Sequence, residues 1–230
     1  MPVINVIIPA YNEEKSIKKV IQEIPANLIH DIIVVNNNST DNTFAAAQEA
    51  GATALHEPRQ GYGQACLTGI RYALNKPAGQ IPEIIVFLDG DYADFPAEMP
   101  TLLKPILADQ ADMVIGSRAL GHREKGAMLP QQIFGNWLAT TLLRLFYGAR
   151  FTDLGPFRAI KTDKLIQLQM QDPTYGWTVE MQLKAAKQKL RSVEVPVSYR
   201  QRIGFSKISG TVKGTLLAGY KIIFTIIRYL

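Results

Sequence analysis

The sequence predicts an α/β fold with a mostly parallel central sheet, on three observations. Short runs rich in β-branched residues alternate with longer helical patterns through the first half of the chain. These runs are continuously apolar, as in strands covered by helices on both faces. Polar and acidic residues gather directly behind several of them, at the carboxyl ends of parallel strands, where open α/β sheets bind ligands.

Taken in order, Val3-Ile4-Asn5-Val6-Ile7-Ile8 forms the first strand, and residues 14–24 follow as a helix. A second strand at 31–35 leads into a helix at 41–50, and a third at 53–56 into a helix at 63–74. Apolar runs at 84–88 and 113–116 flank a helical stretch at 97–108, continuing the βαβ rhythm. Beyond Arg118 the alternation lapses. Residues 121–130 read as a loop, 132–147 as an apolar helix, 178–189 as a further helix and 193–197 as a strand. No linker, repeat or low-complexity tract separates the halves, so one main domain at 1–210 with an extension at 211–230 is expected.

At 230 residues, 47% hydrophobic and 20% charged, the chain can bury one sizeable core. Its single cysteine, Cys66, excludes an intramolecular disulfide and a cysteine-based zinc cluster, and fits a cytosolic setting. The N-terminal run lacks the basic segment and small-residue cleavage site of a signal peptide. Lys221 and Arg228 interrupt the most hydrophobic stretch, so no bilayer span is expected. The net charge of +5 is unevenly placed: no acidic residue follows Glu194, while Arg200, Arg202, Lys207, Lys213, Lys221 and Arg228 do. These cations are interleaved with Ile, Leu and Phe, which favours an anionic membrane surface over nucleic acid as the partner. On a helix of about 100° per residue, Lys213, Lys221 and Arg228 share one arc and apolar side chains take most of the rest, as in a helix lying in a membrane interface.

The strongest local signal is Ile84-Ile85-Val86-Phe87-Leu88 followed at once by Asp89-Gly90-Asp91. Two carboxylates delivered together at a strand end need a cation, and hard oxygen ligands suit Mg²⁺ or Mn²⁺. A metal held there can neutralise the charge developing on a departing diphosphate. A polar turn built on Gly90 is the competing reading. His30, His56 and His122 are scattered without metal-ligand spacing, and Gly61-Tyr62-Gly63 lacks the third glycine of a dinucleotide fingerprint.

Pro9-Ala10-Tyr11-Asn12-Glu13, Asn36-Asn37-Asn38-Ser39-Thr40-Asp41 and Asp89-Gly90-Asp91, in that order and spacing, resemble the strand ends of the family 2 glycosyltransferases. With Gly61-Tyr62-Gly63, Gly116-Ser117-Arg118, residues 153–158 and Arg202-Ile203-Gly204-Phe205-Ser206-Lys207, nearly the whole chain is similar to the polyprenyl-phosphate mannose and glucose synthase branch. The resemblance implies a GT-A-type nucleotide-sugar-binding fold with a C-terminal amphipathic, membrane-facing extension. It implies inverting transfer of a hexose from a nucleotide-sugar donor of the UDP-glucose or GDP-mannose type to a polyprenyl-phosphate acceptor. It also implies a Mg²⁺ or Mn²⁺ cofactor and a location peripheral to the cytoplasmic face of a membrane.

Residue by residue, the resemblance assigns Pro9, Tyr11, Glu13 and Asn37 to the nucleotide, Asp41 to support of the turn, and Gly63 to close backbone approach. Asn36, Asn37 and Asn38 stand where the family has acidic residues and a glycine; an amide oxygen still accepts a base N–H, without the charge. Asp89 and Asp91 become the metal and sugar-diphosphate carboxylates, with Asp91 the firmer ligand, and Ala93 stands where some relatives offer another polar ligand. Arg118, Arg202, Ser206 and Lys207 fall around the diphosphate and the acceptor phosphate, which guanidinium forks bind bidentately. A phosphate acceptor is already anionic and needs mainly to be aimed, so Asp153 and Glu180 join Asp91 as catalytic candidates, for a base or for positioning. A non-catalytic nucleotide-sugar or lipid-phosphate binding subunit of a membrane complex is the alternative, against which retention of both Asp89 and Asp91 speaks.

Overall fold

The computed structural model describes residues 2–204 and 212–230, apart from the side chains of 212, 213 and 215. Strands β1 (Ile4–Ala10), β2 (Asp31–Asn36), β3 (Thr53–His56) and β4 (Ile84–Phe87) alternate with helices α1 (Ile17–Glu23), α2 (Thr43–Glu49) and α3 (Tyr62–Leu74), as expected. A short 3-10 turn at Pro96–Glu98 leads into α4 (Met99–Leu107) and β5 (Met113–Ser117). The chain continues through α5 (Pro130–Tyr147), β6 (Arg158–Lys161), α6 (Thr162–Leu168), α7 (Trp177–Lys187), β7 (Ser192–Pro196) and α8 (Val212–Arg228).

The strands form one sheet in the order β3-β2-β1-β4-β6-β5-β7. All run the same way except β6, which lies antiparallel between β4 and β5. The sequence reading missed β6 and α6. β6 is four residues long and opens on an arginine, so it presents no apolar run. Arg158 is fully buried and donates to the carbonyls of Leu154, Gly155 and Thr178, each at 3.0 Å. Burial pulls its guanidinium down to about 10, and the three carbonyls gain donors that a buried turn could not otherwise provide.

Alternating strand residues feed two cores, one on each face of the sheet. Val6, Ile8 and Val86 pack with Ile17 and Val20 of α1 and Leu102 of α4. Ile7, Ile33 and Phe87 pack with Ala65 and Ile70 of α3 and Trp177 of α7. Phe87 and Trp177 meet edge to face at 5.9 Å. Each such large buried side chain contributes roughly 1.5–3 kcal/mol.

Helix α8 packs on α5 and α7 through a third cluster that includes Leu143, Val179, Leu183 and the fully buried Ile226. Of its expected basic arc, Arg228 is exposed. Lys221 turns inward and pairs with Asp172 at 3.1 Å, and the Lys213 side chain lies outside the described residues. The outward face also exposes Leu216, Leu217, Tyr220, Phe224 and Ile227. Among the described residues, no helix is long and apolar enough to cross a membrane.

Candidate active site

Strands β1, β2 and β4 end at one edge of the sheet, and a cavity of about 360 Å³ opens there. Pro9, Tyr11, Glu13, Asp89, Asp91 and Arg202 line it, as the sequence led one to expect, and Asn37 does too. Gln60, Tyr62 and Tyr175 join them.

The turns that present these residues are cross-linked. Asn12 (φ 54°) and Asn38 (φ 59°) occupy the left-handed region that asparagine tolerates. The Asn12 N–H donates to Ser39 Oγ at 2.9 Å, and Asn12 Oδ1 accepts from the Thr40 N–H at 2.8 Å. Asp41 accepts from the backbone of Glu14 and Thr43 and from the Thr43 hydroxyl, so it supports the turn from behind without lining the cavity.

Two expected nucleotide contacts turn out to build the wall. Asn37 donates to the carbonyls of Arg59 (2.7 Å) and Glu57 (3.2 Å) and accepts from the Gly61 N–H (2.7 Å). Its amide thus clips residues 57–61 to β2 while the residue lines the cavity. Gly63 approaches protein, not nucleotide: a Cβ there would lie 1.9 Å from the Asp172 carbonyl oxygen. A Cβ on Gly61 (φ 151°) would lie 2.2 Å from that of Pro173, so both glycines exist to let residues 172–174 close in.

Asp89 is half-buried and its Oδ1 accepts from the Tyr62 hydroxyl at 3.0 Å. Withdrawal from water, then the neighbouring charge of Asp91, push its carboxyl up to about 7. Asp91 accepts from the Ala93 N–H at 2.9 Å and faces Arg202 Nη1 at 3.2 Å. The following residue, Tyr92, holds φ 67°, a region that bulky side chains rarely adopt. It is pinned there by its hydroxyl on Glu23 and by the Arg200 guanidinium stacked 3.3 Å over its ring. Arg200 also pairs with Glu23 at 2.7 Å, so this cation belongs to the clamp and does not face an external anion. Backbone bonds from Arg200 N to the Ala93 carbonyl and from Ile203 N to the Asp91 carbonyl deliver Arg202 to the cavity. There it meets Glu13 as well as Asp91, each at 3.2 Å, although the basic tail looked free of acidic partners.

Three expected site residues are placed elsewhere. Arg118 and Asp153 pair with each other: Nε and Nη2 reach the two carboxylate oxygens at 2.8 and 2.7 Å, and the Arg118 backbone N–H adds a third bond. Burial raises the Asp153 carboxyl, but the charge and hydrogen bonds of Arg118 outweigh it and hold the group below its ordinary value. Neither residue lines the cavity, although the Arg118 charge reaches Asp89 and Asp94 behind it. Glu180 is fully buried, accepts from the backbone of Gln171 and Asp172, from Lys184 and from the Tyr229 hydroxyl, and does not line the cavity either. Ser206 and Lys207 lie outside the described residues.

The sequence profile of Glycosyl transferase family 2 matches residues 5–168. The chain belongs to that family. An uncharacterized glycosyltransferase of Mycobacterium tuberculosis is 32% identical over 218 residues, 94% of each chain. The undecaprenyl-phosphate mannosyltransferase of Micrococcus luteus is 29% identical across 90% of this chain and 88% of its own. The crystal structure of glucosyl-3-phosphoglycerate synthase from Mycobacterium tuberculosis, in complex with Mn²⁺, UDP-glucose and phosphoglyceric acid, superposes with a TM-score of 0.75. It shares 22% identity and covers 99% of this chain and 79% of its own, so the GT-A-like fold is shared.

In this glycosyltransferase the carboxylates of Asp89 and Asp91 fit a divalent cation. No group of three His, Cys, Asp or Glu able to hold a metal occurs among the described residues, and Mg²⁺-like ions take just one or two carboxylates plus substrate phosphates. Burial first, and then the charge of Asp91, raise the Asp89 carboxyl, and a bound cation would offset both. The sequence reading missed Tyr62 and Tyr175 as site residues, since a tyrosine beside glycine carries no motif of its own. It also missed Asp94, 2% exposed, whose two carboxylate oxygens have no hydrogen-bond partner among the described residues and whose carboxyl burial pushes well above the ordinary range.

Proposed function

We propose that this glycosyltransferase moves a hexose, with inversion, from a nucleotide-sugar donor of the UDP-glucose or GDP-mannose type to a polyprenyl-phosphate acceptor at the cytoplasmic face of a membrane. The observation that carries the reading is a single cavity lined by Asp89, Asp91 and Arg202 at the strand ends. Mg²⁺ or Mn²⁺ held by Asp89 and Asp91 supplies, when bound, neutralisation of the charge on the leaving nucleoside diphosphate. Tyr62 fixes one oxygen of Asp89, and the tight Asp91–Ala93 turn fixes Asp91. Arg202 exchanges its carboxylate partners for a phosphate, which a guanidinium binds through two N–H groups. Tyr11 and Tyr175 line the cavity and supply aromatic surface for base or sugar. A phosphate acceptor arrives anionic and requires no base, which agrees with the commitment of Asp153 and Glu180 to other bonds. The named substrate of the Micrococcus luteus relative supports the lipid acceptor.

The membrane part of the proposal rests on surface chemistry. Phe134, Trp137, Leu145 and Phe146 of α5 are exposed beside the apolar outer face of α8, and neither helix contains an acidic residue. Large exposed apolar patches mark docking sites, and basic residues nearby add attraction to anionic lipid.

A panel of UDP-glucose, GDP-mannose and UDP-N-acetylglucosamine, each offered with one short polyprenyl phosphate and Mn²⁺, tests the reaction by glycolipid formation and diphosphate release. Transfer solely to a soluble control acceptor such as phosphoglycerate would overturn the lipid assignment. Flotation of the full chain with anionic liposomes at low and high salt tests the membrane part, and protein that stays in the soluble fraction throughout refutes it.

A further inference from the structure

The cavity wall and the C-terminal helix meet in one short segment, residues 172–175, between α6 and α7. On one side it forms the wall. Tyr175 lines the cavity, and the carbonyls of Pro173 and Thr174 accept from the backbone N–H groups of Gln64 (2.8 Å) and Gly63 (3.3 Å) in the first turn of α3. That turn begins at Tyr62, whose hydroxyl holds Asp89. On the other side the segment is fastened to α8. Lys221 lies 3.1 Å from Asp172 Oδ2, with 26% and 7% of the two side chains exposed. Thr225 of α8 is buried so close to Gly176 that a Cβ there would sit 2.6 Å from its Oγ1.

Asp172 works in both directions. Its Oδ1 accepts from the Thr174 N–H (2.7 Å) and hydroxyl (3.0 Å), which shapes the turn, while Oδ2 faces Lys221. Its own N–H donates to Glu180, which also accepts from Tyr229 just beyond α8. A carboxylate this enclosed relies on its cation, because removing one partner of a desolvated pair leaves a charge without compensation. A shift of α8 therefore moves the Asp172 turn, and with it Tyr175 and the contacts to Gly63 and Gln64.

We propose that residues 172–175 are a strap tying α8 to the donor pocket, with Asp172 and Lys221 as positioning residues that set donor affinity. This rests on the cavity being the nucleotide-sugar site. The consequence is that whatever grips the apolar outer face of α8 acts on donor binding through the strap.

The test is calorimetric titration of UDP and of GDP, each with Mn²⁺, into the full-length protein as wild type, Lys221→Met, Lys221→Arg, Asp172→Asn and the Lys221→Met/Asp172→Asn double variant. Lys221→Met is expected to weaken the nucleotide that wild type binds by roughly three- to tenfold. Lys221→Arg should restore affinity, and the double variant should bind no worse than the weaker single. Melting temperatures recorded alongside separate positioning from stability: if Lys221→Arg binds as weakly as Lys221→Met and both melt early, the strap is refuted as general loosening. Unchanged affinity in Lys221→Met, with wild type binding normally, refutes the strap alone. Wild type binding neither nucleotide removes the donor-pocket reading and the strap with it.

Discussion

Two acidic sites behind the same sheet edge carry their charge in opposite ways. At Asp153 the chain supplies its own counter-ion: Arg118 takes both carboxylate oxygens, and the acid is held below its ordinary value despite burial. At Asp89 a second carboxylate stands close by, the Arg202 cation is shared among Asp91 and Glu13, and the acid is pushed up to about 7. Charge balanced inside the chain builds structure. Charge left in excess marks the place where a ligand brings the balance, which is the physical reason to seek chemistry at Asp89 and Asp91.

The comparison breaks most sharply at Asp91. Asp91→Asn keeps the side-chain volume but removes a metal ligand, and is expected to lower transfer on the order of a thousandfold, the loss of several kcal/mol of charge stabilisation. Its urea midpoint should stay near that of wild type. Steady-state rates with and without chelator decide the matter, and full activity of the variant in chelated buffer erases the metal assignment.

Asp153→Ala should do the reverse. It strands the buried Arg118 and is expected to cost about 3–5 kcal/mol of stability by equilibrium urea unfolding. A variant that unfolds normally yet has lost catalysis would return Asp153 to the reaction.

The third expectation concerns pH. In metal-free protein the folded pKa of Asp89, raised to about 7 by burial and by Asp91, stands above the ordinary aspartate value of 3.8, so the folded state holds the extra proton between those limits. Stability from this group therefore falls as pH rises from about 4 to 7 and is flat above. Protons and metal compete for the same oxygens, so the apparent affinity for Mn²⁺ should rise about tenfold per pH unit below 7 and level off beyond it. Titration calorimetry from pH 5 to 8 reads the slope; a flat profile contradicts the account of Asp89.

A smaller effect is expected from Arg202→Ala, roughly tenfold weaker nucleotide binding, from the loss of a charged hydrogen bond. Equal affinities for wild type and variant would take Arg202 out of the phosphate site and leave it a partner of Glu13.

The strands and helices through β5 were legible because each is an uninterrupted apolar or periodic run. The floor of the site was legible for the same reason: Asp89 and Asp91 directly follow such a run. What could not be read was pairing. Arg118 and Asp153 were read separately, as a phosphate ligand and a base, and nothing in the sequence shows that they contact each other. The basic tail looked unpaired because its partners lie far off in sequence: Arg200 meets Glu23 across 177 residues, and Arg202 meets Glu13 across 189. β6 hid behind a buried arginine that only the fold satisfies.

That antiparallel strand imposes an order of assembly. β4 and β5 cannot lie side by side, because β6 belongs between them, and β6 is made about seventy residues after β4. At roughly 5–20 residues per second, a ribosome leaves the β4 edge open for several seconds. During that interval the nascent chain carries Asp89 and Asp91 without the segments that bring Tyr175 and Arg202 to them. The acidic pair is thus synthesised after most of the site but well before Tyr175 and Arg202 close it, and in that interval the unpaired, apolar β4 edge needs shelter.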